Sequence, residues 1–475
     1  MGQHLPMEQF DRNARAALQD QQQRQALLQA TLLFGERRRA ALQQVPEWEA
    51  WRSHARAVKD HTLAHLDRYL EQFASAAEAR GTQVHWARDG DEACSIIAAI
   101  ARGAGATLAV KSKSMTTEEV HLNDALAAAG VEAVETDLGE WIVQLADEVP
   151  FHIVVPAIHK NRAQIAELFA QTIGTDRAAD AQALTAAARR ELRARFAGAG
   201  LGISGANFAI AETGSLLILE NEGNARLTTS LPRVHVALVG IEKVIPRLAD
   251  LDVFLKVLPR SGTGQAITSY QSLLTGPKSL AGDDGPEHLH VVLLDNGRSR
   301  MLAAAVTRQA LACIRCGACL NACPVYQQVG GHAYGAVYPG PIGAVITPQL
   351  LSPRKAHQLP FASSLCGACR EVCPVKIDIP ALLLHLRQQA REGKAGQPPA
   401  RRRSAEALLF RGFAFVAGGR RRFACAMGIA RWLQRLCGPL LHRLPPLRSW
   451  RQGREVPRLA RHSFRARWRR QEHRQ

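Results

Sequence analysis

At 475 residues, with an apolar fraction of 47 % and charged residues at 21 %, the chain is too long for one ordinary core and too hydrophobic to be disordered, so two or three globular domains are expected. The net charge of +18 suggests a nucleic-acid protein until it is located: residues 401–475 hold 20 of the 60 basic residues and 3 of the 42 acidic ones. The body is close to neutral, the tail carries the excess, and no recognition motif accompanies its arginines, which argues against a nucleic-acid partner.

Residues 1–81 read as an N-terminal helical segment, with Leu63, Leu66, Tyr69, Leu70 and Phe73 recurring at spacings of three and four and Gly81 as the stop. His61 and His65 stand at i and i+4, as on a zinc-binding helix. Thr62 occupies the place where the metalloprotease pattern has Glu, so two polar-face histidines are expected. No apolar signal-peptide core follows Met1, and no run of about eighteen apolar residues occurs anywhere. Together with ten cysteines, this points to a reducing, cytoplasmic setting without a spanning helix.

Residues 82–298 alternate short apolar runs with amphipathic ones, the pattern of an α/β domain with a largely parallel sheet. Strands are expected at 107–110, 131–135, 152–155, 208–211, 216–219, 234–239 and 289–294, and helices at 91–102 and 116–129, closed by Gly103 and Gly130. Three segments stand out. Lys111-Ser-Lys113-Ser follows one strand and precedes a helix, where an anion could meet two ammonium groups or where Ser and Thr merely cap. Glu212-Thr-Gly214-Ser215 reads as a hairpin turn, and Arg260-Ser-Gly262-Thr-Gly264 as a loop open to close approach. Cys94, on a predicted helix, reads as a small buried hydrophobe.

Residues 299–395 hold seven of the cysteines. Cys313, Cys316, Cys319 and Cys323-Pro324 form C-x2-C-x2-C-x3-C-P, the ligand run of bacterial-type iron–sulfur proteins, and Cys366, Cys369 and Cys373-Pro374 form a second, shorter run. In two-cluster ferredoxins the last cysteine of each run ligates the other cluster. Cys313, Cys316, Cys319 and Cys373 are therefore expected to hold one cluster, and Cys323, Cys366 and Cys369 the second. The missing fourth ligand falls at Ser363. A 4Fe-4S cluster with a non-cysteine ligand (Ser363 or Ser364, water, or a partner's residue) is favoured over a 3Fe-4S or labile centre. Zinc would need closed sites of four ligands each, and the spacing argues against it. Helical segments flank the runs, as in α-helical ferredoxin modules. The Gly- and Pro-rich stretch from Gly330 to Gly343 reads as an ordered loop over the clusters, and residues 381–391 as a helix.

Residues 396–475 form a basic helical C-terminal region that opens on a Pro- and Arg-rich linker. Its apolar stretches, 405–418 and 423–441, are interrupted by Arg and too short or too charged to span a bilayer. They suit helices lying on a membrane surface or a partner, or a solvated appendage.

An α/β domain carrying Pro156-Ala-Ile-His159-Lys160-Asn161-Arg162, Glu212-Thr-Gly-Ser215 and Thr228-Thr-Ser-Leu-Pro232, followed by Gly330-Gly-His332-Ala-Tyr334-Gly335 between two cysteine runs and by a basic tail, resembles the lactate utilisation protein B family. The resemblance implies an α/β lactate-utilisation domain similar to phosphosugar isomerase and CoA transferase-like folds, an α-helical ferredoxin domain, and two 4Fe-4S clusters. It also implies a part in oxidising L-lactate to pyruvate beside a cysteine-rich subunit and a smaller α/β subunit. The expected role is electron transfer in a cytoplasmic complex, peripheral to the inner membrane face through the tail, and no catalytic residue is assigned. The alternative is an α/β enzyme or binding protein for a small carboxylate or phosphorylated substrate, motivated by Lys111 and Lys113.

Overall fold

The computed structural model describes residues 4–280, 282–351, 354–392, 405–441 and 459–472. The chain divides into one compact unit over residues 1–400 and a second over 401–475.

In the first unit the N-terminal segment forms helices Phe10–Ala17, Gln21–Gln43, Trp48–Ala64 and Leu66–Glu78. The predicted stripe is buried at Leu63, Leu66, Leu70 and Phe73. The chain then alternates strand and helix through β1 (Gln83–Ala87), β2 (Leu108–Lys111), β3 (Glu132–Glu135), β4 (Leu201–Ser204), β5 (Phe208–Ile210), β6 (Ser215–Glu220), β7 (Val234–Gly240), β8 (Val244–Ile245), β9 (Tyr270–Leu274) and β10 (His288–Leu294). Six of these make a sheet in the order β1-β10-β7-β4-β2-β3. All five of its pairings are parallel. Its central strands β7 and β4 are buried from end to end, as a sheet covered on both faces requires. A second, mixed sheet runs β8-β5-β6-β9.

Several sequence expectations need correction. Residues 152–155 form no strand but a series of bends, because the His152 ring accepts the N–H groups of Val154 and Val155 and supplies locally what a ladder would have supplied. The helix expected over 116–129 is two, Met115–Glu119 and Leu122–Ala128, separated at His121 with φ 53°. Arg260–Gly262 is not loop but the end of helix Leu251–Gly262. β1, β4, β8 and β9 carried too few apolar residues, or too short a run, to be read in advance. Glu212–Ser215 does turn as expected, joining antiparallel β5 and β6 with Gly214 at φ 66°.

The cysteine-bearing residues fold as short helices, Ala318–Asn321, Tyr326–Val329, Gly340–Leu350, Ala368–Glu371 and Ile379–Glu392. Gly340–Leu350 is almost wholly buried, so the Gly- and Pro-rich stretch is loop only as far as Pro339, with one 3-10 turn at His332–Tyr334. Proline at the second helical position costs nothing, since its missing N–H would have had no partner there. The largest apolar core is continuous through the N-terminal helices, the second sheet, helix Leu251–Gly262 and this module.

In the second unit the described helices are Ala405–Ala417, Arg420–Leu441 and Phe464–Glu472. No helix among the described residues is long and apolar enough to cross a membrane. The expected linker lies outside the described residues.

Candidate metal centre

The two cysteine runs fold into the same loop twice. Arg315 and Leu365 take φ 60° and 56°, and Gly317 and Gly367 take 78° and 89°. A one-turn helix then follows each glycine and carries Cys319 or Cys369. In the first copy the Arg315 N–H donates to Cys313 Sγ at 3.4 Å. In the second, Leu365 N–H donates to Ser363 Oγ at 3.1 Å. Ser363 thus stands where the first copy has Cys313, with its oxygen in the sulfur's place.

The thiols sort into two groups by mutual charge. Cys316 and Cys319 each feel Cys313 and Cys373, whereas Cys369 feels Cys323 and Cys366. Cys313, Cys316, Cys319 and Cys373 line one cavity walled by Ile153, Ile342, Ile377 and Ile379. Burial raises the Cys316 and Cys319 thiols well above the ordinary range, and pushes Cys369 up to about 12. Bare thiolates would not persist in such surroundings, and metal binding is what removes their protons. Four sulfurs around one dry cavity fit a four-iron cluster.

Backbone N–H groups converge on the same sulfurs. Tyr326 donates to Cys323 at 3.5 Å and Ile377 to Cys373 at 3.4 Å. Arg52 clamps the Cys373 carbonyl through Nε at 3.0 Å and Nη2 at 2.8 Å. Cys366 differs from its partners in being exposed. The Ala368 N–H and the Ser364 hydroxyl lower its thiol.

A buried polar network bolts the module to the parallel sheet. Arg298, just past β10, meets Glu119 in a fork at 2.9 and 2.8 Å and Glu242 at 2.5 Å. The Tyr338 hydroxyl donates to Glu119 at 2.6 Å, Arg315 reaches Glu242 at 3.3 Å, and the Lys59 ammonium donates to the Glu242 carbonyl. Burial alone would raise Glu242, but Arg298, Arg315 and Lys243 hold it at about 2. Sequence reading missed this network, although Glu242-Lys243 between two buried strands was a signal: charges in such a place need partners.

The Gly-Gly-His motif is a second joint. Its glycines lie against Phe151, where a side chain at Gly330 or Gly331 would collide with the ring or carbonyl. Tyr326 donates to the Phe151 carbonyl at 2.9 Å and His332 to the Val149 carbonyl at 2.8 Å. Glu148, His159 and His332 come close enough to suggest a cation site. Lys160, at 2.6 Å from Glu148, already neutralises that carboxylate.

Of the two lysines singled out in the sequence, Lys111 is fully buried among Glu118, Glu135 and Thr117 at 2.9, 2.7 and 3.0 Å. It is a structural cation that no ligand reaches. Lys113 is bound to Asp137 at 2.8 Å and lines a cavity. Cys94 is held by the Val120 carbonyl, and burial pushes it up to about 11, out of the reactive range. His61 pairs with the Tyr69 hydroxyl at 2.9 Å.

A parallel α/β domain running into a module of two cysteine loops defines the class. Residues 70–294 match the LUD domain and residues 309–377 the 4Fe-4S dicluster domain. The chain is 42 % identical over 460 residues to lactate utilization protein B of Shouchella clausii (strain KSM-K16), covering 96 % of this chain and 95 % of that one. It is 47 % identical over 362 residues to lactate utilization protein B of Bacillus velezensis (strain DSM 23117 / BGSC 10A6 / LMG 26770 / FZB42), covering 76 % of each. It is also 44 % identical over 385 residues to the uncharacterized electron transport protein YkgF of Escherichia coli (strain K12), covering 81 % of each. The crystal structure of a duf162 family protein from Deinococcus radiodurans aligns with 48 % of this chain at 14 % identity and a TM-score of 0.26, too low to carry weight. The chain belongs to the lactate utilization protein B family, and its dicluster domain implies two 4Fe-4S clusters.

Proposed function

We propose that this protein is the iron–sulfur electron-transfer subunit of a complex that oxidises L-lactate to pyruvate. The observation that carries the reading is the duplicated cysteine loop. It supports one cluster held by Cys313, Cys316, Cys319 and Cys373, and a second held by Cys323, Cys366 and Cys369 with Ser363 or another oxygen donor completing it. Such clusters supply one-electron carriers. The chain's own residues bury the first set, hold its sulfurs with backbone N–H groups, and set Arg315 and Lys59 beside it, cations that favour the reduced, more negative state. The exposed Cys366 marks the second set as the face at which electrons enter or leave.

The partners in this reading are a cysteine-rich subunit and a smaller α/β subunit. The tail serves as the dock, at a partner or at the inner face of the membrane. The second unit exposes Phe410, Phe413, Phe415 and Trp432 beside Arg411 and Arg420–Arg422, the composition of a surface-seeking basic helix.

Anaerobic reconstitution, iron and sulfide analysis, and EPR of wild type beside Ser363→Cys test the proposal. Eight irons per chain are expected, with the signal of one cluster altered by the substitution and the other unchanged. A chain that binds only zinc would overturn it.

A further inference from the structure

The cysteine module closes one side of a cavity whose other walls come from the parallel sheet, from β6 of the second sheet and from helix Leu251–Gly262. The cavity holds about 390 Å³, within the range of small-molecule sites. Its sheet side is built from the carboxyl ends of strands: Lys113 after β2, Asp137 after β3, Asn207 beyond β4 and Lys243 beyond β7. Open parallel sheets take their ligands at those ends. Arg315, Cys316 and Tyr338 supply the opposing wall, and Arg315 and Cys316 also line the cavity of the four-cysteine group. A molecule in this space would lie against a cluster ligand.

The anions here are satisfied and so is Lys113, whereas two other cations keep donors to spare. Asp137 is taken by Lys113 at 2.8 Å, and Glu222 by the Leu138 N–H at 3.1 Å. Glu220 accepts the N–H groups of Ala225 and Arg226 at 2.8 and 2.7 Å. The Lys243 side chain, only 9 % exposed, has no hydrogen bond or ion pair among the described residues. Arg315 spends Nη2 on Glu242, and its buried Nη1 has no partner. These two cations repel each other across the space, an arrangement that costs free energy until an anion bridges it.

We infer that this cavity is a binding site for a small carboxylate, held between the Lys243 ammonium and Arg315 Nη1 beside Cys316. A monoanion suits it better than a phosphate dianion, because Asp137, Glu220 and Glu222 line the rest of the space. The competing role for these cations is to offset the charge of the adjacent cluster. Both cations feel the Cys313 sulfur, but Lys243 lines the open cavity and not that of the four cysteines, which favours a ligand. The site stands on this geometry; the choice of probes rests on the proposed function.

The test is calorimetric titration of the anaerobically reconstituted full-length protein with L-lactate, pyruvate and inorganic phosphate, with iron content and EPR recorded for each sample. Saturable one-to-one binding of lactate or pyruvate is expected. Affinity should fall at least tenfold in Lys243→Gln and in Ala206→Leu, which fills the cavity without touching a charge, while iron content and both cluster signals stay unchanged. Should Lys243→Gln lose iron, the lysine is a partner of the cluster and the site assignment fails. Binding by phosphate alone, or carboxylate binding that Ala206→Leu leaves intact, also overturns it. Two intact clusters without carboxylate binding would remove the site and leave the electron-transfer reading standing; carboxylate binding without clusters would do the reverse.

Discussion

Replacing Arg298 with Met removes the central cation of the buried network to which the cysteine module is tied through Tyr338 and Arg315. The guanidinium is 1 % exposed and is shared by two carboxylates, Glu119 at 4 % and Glu242 at 1 %. Methionine fills much of the volume but leaves two buried anions short of their main counter-ion, a loss worth about 3–5 kcal/mol. Unfolding entropy near about 2.1 cal/mol/K per residue, taken over the 400 residues of this unit, amounts to roughly 0.84 kcal/mol/K. The melting temperature should therefore fall by about 4–6 °C, read by anaerobic scanning calorimetry at neutral pH. Glu119→Gln placed on top of Arg298→Met should cost much less than Glu119→Gln alone, because the charge it removes has already lost its partner. A melting temperature within about 1 °C of wild type, or strict additivity of the two changes, would refute the argument.

Cys373→Ala and Cys316→Ala should abolish the same EPR signal, and Cys323→Ala and Cys369→Ala the other; loss of a shared signal in Cys373→Ala and Cys369→Ala would mean that each run holds its own cluster. Glu140 is 1 % exposed, and burial, then the Glu135 charge, raise its carboxyl well above the ordinary range against the pull of Lys111. Glu140→Gln should therefore shift stability by less than about 1 kcal/mol, whereas Lys111→Met, which strands Glu118 and Glu135, should cost about 3–5 kcal/mol in denaturant melts; equal costs would contradict the assignment. Burial lowers His235 to about 3 and, against its hydrogen bond to Asn321, His152 to about 4. Both titrate near 6.5 when unfolded, so their contribution is complete above that pH and is lost as the pH falls toward the folded values. The denaturation midpoint should decline from about pH 6.5 to 5, with a slope approaching 1.4 kcal/mol per unit per histidine. A flat midpoint over that range would refute neutral burial.

The legible parts of this protein were those where chemistry is tied to spacing. Seven cysteines at two- and three-residue intervals announced the module, and even the gap at Ser363 could be read, because a repeated loop assigns each position a role. Long apolar strands such as β7 and β10 were equally plain, since residues buried on both faces leave a continuous hydrophobic run. What stayed hidden depends on partners far away in sequence. Lys111 could be taken for an anion ligand or for part of a capped turn, because nothing local shows that Glu135 will face it from the next strand. Arg298 and Glu119 carry no local mark of the network they join, because Glu242 meets them only in the fold. Lys243 could be flagged as a charge between buried strands but not as an unpaired one, which is recognised only once its surroundings are known.

The N-terminal helices close against parts of the chain synthesised some three hundred residues later. Asn13 bonds the Ala333 carbonyl across a separation of 320 residues, Arg24 reaches Gln328 across 304, and Arg52 grips Cys373 across 321. Contacts at such range form last, since a long loop must be ordered before they yield any return. The apolar stripe is covered once β1 and β8 have formed, but the helices before it complete their packing only when the cysteine module has been made. That delay leaves an interval in which the cysteine loops are still open from the side that Arg52 later seals.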